Sequence, residues 1–157
     1  MDKRKEDYLV VRRAMMHFRY IIADFNKHFC YPGLSGNETF LICLIGTKPG
    51  IIAKEISYIM YLDMGYVSRS LHKLEDKKLV AWTAANKSHY TKQLHLTPEG
   101  EKIFTACERI DAEYTEQRLS RLEANERKNY IRNMKALLAI LPRLTQDLLP
   151  PDEPEKR

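Results

Sequence analysis

The chain has 157 residues, 44% hydrophobic and 30% charged, a composition suited to one domain with an ordinary core. No run approaches the 18 apolar residues a membrane span needs, and the polar start Met1–Asp7 lacks the apolar stretch of a secretory leader. Cys30, Cys43 and Cys107 form no CxxC and no zinc-spaced set with histidine, so a disulfide framework and a structural metal are not expected, and a reducing cytoplasm is.

Net charge is +5, and residues 50–97 carry seven Lys/Arg against four acids. A basic bias there suits a polyanionic partner. The sequence has no Gly-rich phosphate loop, H-E-x-x-H or G-x-S-x-G, so neither an enzyme nor a cofactor is expected.

Residues 8–29 read as an amphipathic helix, with Val11, Ala14, Met15, Phe18, Ile21, Ile22, Phe25 and Phe29 spaced by three and four. Pro32-Gly33 ends it. Ser35 to Glu38 has the S-x-x-E form of a capping box. It opens a second helix whose buried side is read as Phe40, Leu41, Cys43, Leu44 and Ile45, stopped by Gly46 and Pro49-Gly50. Residues 52–60 form a short third helix with Ile52, Ile56 and Ile59 inward. A fourth follows the N-cap Asp63, with Val67, Leu71 and Leu74 as its stripe.

Leu79 to Trp82 begins a strand, the polar stretch Ala84–Thr91 reverses the chain, and Gln93–Leu96 returns as a second strand. Thr97-Pro98 starts a fifth helix running to about Leu122. A sixth spans about Asn125 to Leu149, where Pro142 should kink or locally break it. The proline-rich tail 150–157 is expected to be disordered.

Two short helices joined by Tyr61-Leu62 and followed by a hairpin make a winged helix-turn-helix, expected over residues 35–97. With Val67, Leu71 and Leu74 inward, the fourth helix turns Gly65, Arg69 and His72 outward, flanked by Tyr66, Ser68 and Lys73. Arginine can read guanine bidentately, and Ser68 and Tyr66 suit phosphate or base contacts. Lys87, His89 and Lys92 place further basic groups in the hairpin. These nine residues are the candidate DNA contacts. Read alone, the helix's polar side also fits a merely solvated face, and a winged helix can instead serve as a protein-interaction module or a dimer partner that never touches DNA.

The run Leu62-Asp63-Met64-Gly65-Tyr66-Val67-Ser68-Arg69-Ser70-Leu71-His72-Lys73-Leu74-Glu75, with Lys78-Leu79-Val80, resembles the recognition helix and wing entry of MarR-type (multiple antibiotic resistance) regulators. Leu94-His95-Leu96-Thr97-Pro98-Glu99-Gly100 resembles that family's wing exit. The resemblance implies a mainly α fold with a small β-hairpin wing. One MarR-like domain over 1–157 would set the winged lobe between dimerisation helices at 8–30 and 98–149.

It further implies a homodimer on a pseudo-palindromic operator in double-stranded DNA, a repressor by default, released by a small aromatic or anionic effector. The candidate effector walls are Met15, Phe18, Arg19, Ile22, Phe40 and Cys43, positions that plain core packing explains more readily. Cys30 is a candidate redox site. The chain departs from the family pattern in three places. Ser88 and Tyr90 stand where a bracing Asp–Arg pair is usual. Lys78 stands where glycine is frequent, and Ile52 where a Ser or Thr cap is usual.

Overall fold

The computed structural model describes residues 3–84 and 92–146. Within them the order is α1 (Lys3–His28), α2 (Gly36–Thr47), α3 (Ala53–Met60), α4 (Met64–Asp76), β1 (Val80–Ala84), β2 (Lys92–Leu96), α5 (Pro98–Leu119) and α6 (Ala124–Thr145). The expected tail 150–157 lies outside the described residues. No described helix is long and apolar enough to cross a membrane.

Local chemistry accounts for the helix starts. The Ser35 hydroxyl accepts from the Glu38 N–H at 3.2 Å, and the Glu38 carboxylate accepts from the Ser35 N–H at 2.8 Å, a complete capping box. Asp63 accepts from the Tyr66 N–H at 3.1 Å, and Thr97 from the Gly100 N–H at 3.1 Å. At α3 the Ile52 side chain caps nothing. Glu55 instead accepts from the Ile52 N–H at 3.2 Å and from Lys48 at 2.6 Å.

The core belongs to the central lobe: Leu41, Ile42 and Ile45 of α2, Ile51, Ile56 of α3, Val67, Leu71 and Leu74 of α4, and Leu94 of β2 are fully buried. Each such side chain stabilises the fold by about 1.5–3 kcal/mol relative to exposure. β1 and β2 pair antiparallel with Val80 opposite Leu96 and Trp82 opposite Leu94. Ile51 extends the hairpin, because Leu94 donates to its carbonyl at 3.0 Å and Gly50 donates to the Leu94 carbonyl at 2.8 Å. At Gly100 a Cβ would stand 2.1 Å from the Leu79 carbonyl oxygen, so only glycine lets α5 start against the wing entry.

Several expectations shift. α1 begins at Lys3, five residues before its apolar period, because a polar turn extends a helix without joining its stripe. In α2 the buried residues are Thr39, Leu41, Ile42 and Ile45, while Phe40 is 37% exposed. α2 packs against α4, α5 and β2, so its apolar residues are not confined to one stripe. In α3 Ile56 is buried but Ile59 is 41% exposed. The hairpin strands are Val80–Ala84 and Lys92–Leu96, longer than read. α6 continues through Pro142 to Thr145 without the local break expected there. Pro142 lies in the last turn, where few following residues depend on the hydrogen bond it removes.

Candidate nucleic-acid interface

The turn between α3 and α4 is fixed from within. The Ser57 hydroxyl donates to the Leu62 carbonyl at 2.7 Å, and the Leu62 N–H donates back to the Ser57 carbonyl at 3.1 Å. Tyr61 takes a left-handed φ of 55° to complete it. α4 then buries Val67, Ser70, Leu71 and Leu74 and turns its other side out. Gly65, Tyr66, Arg69, His72 and Lys73 are exposed and Ser68 is half-buried, as the helical wheel requires.

The outward groups are arranged by their neighbours. A Cβ on Gly65 would stand 3.0 Å from the Asp63 carboxylate and 3.3 Å from an Arg69 guanidinium nitrogen. The missing side chain therefore leaves room for the guanidinium against the first turn of α4. Arg69 makes no ion pair among the described residues. His72 lies 3.1 Å from Glu75, and its ring is 6.1 Å from Trp82 on the wing. Lys92 holds its ammonium over the same indole, 5.8 Å from the ring centroid. Trp82 thus has His72 of α4 and Lys92 of β2 as ring neighbours. Lys87 and His89, with Ser88 and Tyr90, lie outside the described residues.

Asn37 and Trp82 were not legible as parts of this surface. The Asn37 amide donates to the Tyr66 hydroxyl at 2.8 Å, joining the start of α2 to the outward face of α4. A contact between residues this far apart in sequence leaves no local signal.

Between α1 and the lobe lie two clefts. One, about 390 Å³, is lined by Ile22, Asn26, Phe29, Asn37, Phe40 and Met60 among others, with no charged side chain. A second, about 180 Å³, holds Phe40 and Cys43 with Phe104 and Cys107. Of the effector positions, Ile22 and Phe40 meet in the first cleft and Phe40 and Cys43 in the second. Met15, Phe18 and Arg19 line neither. Cys30 is exposed, and its thiol donates to the Leu34 carbonyl at 2.9 Å.

α1 is fastened to α5 by one polar cluster. The Tyr114 hydroxyl donates to the Asp24 carboxylate at 2.8 Å, Arg118 pairs with the same carboxylate, and the Phe25 and Tyr114 rings meet edge to face at 5.2 Å. Burial and the Asp24 carboxylate together push the Tyr114 phenol above its ordinary pKa.

No protein-family model matches the sequence. The HTH-type transcriptional regulator BilQ of Clostridium symbiosum is 30% identical over 96 residues, which are 61% of this chain and 67% of that protein. Among solved structures, Streptococcus pneumoniae FabT in complex with DNA is 22% identical at a TM-score of 0.59, covering 90% of this chain and 98% of its own. A MarR family regulator from Listeria monocytogenes complexed with a 26mer DNA is 19% identical at a TM-score of 0.63, covering 88% and 90%. Apo wild-type MarR from E. coli is 19% identical at a TM-score of 0.66, covering 81% and 95%. With its buried α4 stripe, its hairpin and these relatives, the chain belongs to the helix-turn-helix transcriptional regulators, in the winged-helix fold of the MarR type.

Proposed function

We propose that the protein binds double-stranded DNA sequence-specifically as a homodimer and represses by occupying a pseudo-palindromic operator. The observation that carries the reading is the outward side of α4, where Arg69 lies over Gly65 with Tyr66, Ser68, His72 and Lys73 around it. α4 enters the major groove, Arg69 reads a guanine edge, and the wing carrying Lys92 follows the adjacent backbone. The DNA present with FabT and with the Listeria regulator is the ligand class assigned to this chain by analogy.

A small effector releases the operator by binding between α1 and the lobe. The uncharged lining of the larger cleft, with the amides of Asn26 and Asn37 among apolar side chains, favours an uncharged aromatic compound over an anion. Such a compound acts only through different affinities for the bound and free arrangements of the dimer.

The test is selection from random duplex DNA with wild type and Arg69→Ala, followed by salt titration on the enriched site. Wild type is expected to enrich a palindrome with half-sites about one helical turn apart. Arg69→Ala is expected to relax one position, at about 1–3 kcal/mol. No enrichment, with only weak binding at low salt, would sink the reading in favour of a protein-interaction module.

A further inference from the structure

Cys43 and Cys107, unlike the exposed Cys30, are brought together from two helices. The Cys43 and Cys107 side chains both line the smaller cleft, near enough for each thiol to perturb the other. The seam continues one turn along. There Gly46 of α2 lies so close to Phe104 of α5 that a Cβ would come within 2.6 Å of the ring. Positions rise along α2 from 43 to 46 as they fall along α5 from 107 to 104, so the helices run antiparallel and in close approach. Cys107 is 1% exposed, Cys43 is half-buried, and the rings of Phe25, Phe29, Phe40 and Phe104 wall the space beside them.

We infer that this dithiol is a covalent binding site for an uncharged, soft trivalent electrophile carrying an aromatic group, of the arylarsenic(III) dihydroxide class. Two As–O bonds break and two As–S bonds form. Each thiol proton leaves with a hydroxide as water, so two waters are released, no oxidation state changes and no net charge is left in the cleft.

Four observations select that chemistry. Two thiols brought to one cleft from facing helices suit a pyramidal centre that takes both. The cleft, about 180 Å³, exceeds the roughly 150 Å³ apolar cavity known to take a benzene ring. No group of three or more His, Cys, Asp or Glu among the described residues is placed to hold a metal ion, which argues against a zinc-type site. Burial raises both thiol pKa values, and Glu108 and Asp111 on the same cleft oppose negative charge at Cys43. The pair is therefore held as neutral thiols, poor nucleophiles toward peroxide, which is attacked by thiolate.

The test uses the full chain in a Cys30→Ser background, treated with phenylarsine oxide under native conditions and read by intact mass. One equivalent is expected to bind, to survive desalting and to be removed by 2,3-dimercaptopropanol. Cys43→Ser and Cys107→Ser should each lower affinity at least tenfold. Methylarsonous acid, lacking the ring, should bind at least tenfold more weakly than the phenyl reagent.

Should a serine variant fail to fold, peptide mapping of wild type replaces it. Arsenic should then protect Cys43 and Cys107 from alkylation and leave Cys30 reactive. The inference falls if no adduct forms on the folded chain, if protection falls on Cys30, or if phenyl and methyl reagents bind equally. It also falls if oxidation to a disulfide is the only modification found.

Discussion

Among the described residues, two non-glycine residues hold left-handed backbone, Tyr61 at φ 55° and Lys78 at φ 58°. Both close helices in the same way. After α4 the Lys78 N–H donates to the Glu75 carbonyl at 2.7 Å and the Leu79 N–H to the Leu74 carbonyl at 2.9 Å. That pair of bonds, with Leu79 folded back into the core beside Leu74, is the αL termination that glycine normally supplies. A side chain there is crowded by its own carbonyl. Lys78→Gly should therefore stabilise the fold by about 0.5–1 kcal/mol, the relief of strain being partly offset by glycine's freedom in the unfolded chain. Thermal melting should rise by roughly 2–4 °C per kcal/mol for a chain of this size. A fall in melting temperature would mean that the lysine makes a contact worth more than its strain. Lys78 was legible because the sequence resembles regulators with glycine there. Tyr61 was not, since Met60-Tyr61-Leu62 carries no turn residue.

At the scale of elements, α4 was legible because it packs on one side only, leaving Val67, Leu71 and Leu74 in a clean stripe. α2 was misread in part because three neighbours bury it, and period says little about a helix that is apolar nearly all round. Its start was read correctly, since a capping box is a matter of four consecutive residues. That start also has a tertiary partner that spacing cannot reveal: Lys77, at the end of α4, lies 3.3 Å from the Glu38 carboxylate. The Ser35 N–H, followed by the Ser35 hydroxyl contact and Lys77, draws the Glu38 pKa below its ordinary value against the cost of burial. A depressed folded pKa means that the carboxylate stabilises the fold above the unfolded pKa of about 4.3 and loses that contribution as pH falls through the lower folded value. Glu38→Gln keeps the hydrogen-bonding acceptor and loses the charge, and should cost about 0.3–1 kcal/mol at pH 7. The gap to wild type in urea midpoint should hold to about pH 5 and close below about pH 4. A gap independent of pH would show that the glutamine fails sterically, with charge playing no part.

Over the whole molecule, the lobe is packed, while α1 and α6 leave apolar side chains exposed. α6 buries none of its residues, and Leu138 and Leu144 are 61% and 62% exposed, while on α1 Val11 and Met15 are 58% and 61% exposed. The apolar periods of these helices were legible, but a period does not say which chain supplies the covering surface. A monomer rarely leaves so long an apolar face in water. A second copy covering α1 and α6 would also set two α4 faces at a fixed separation, as two half-sites require. Leu138→Asp with Leu144→Asp places charge on that face while leaving every core side chain untouched. Sedimentation equilibrium should give twice the 18.5 kDa chain mass for wild type and the single mass for the double variant. The melting temperature of wild type should rise with protein concentration, and that of the variant should not. Each half-site would then be bound separately, so affinity for the full palindrome should fall by about 10²–10⁴ while affinity for an isolated half-site is kept. A variant that stays dimeric would move the interface off this face of α6. A monomer that still binds the palindrome as tightly would separate dimerisation from recognition, leaving α4 alone responsible for the affinity.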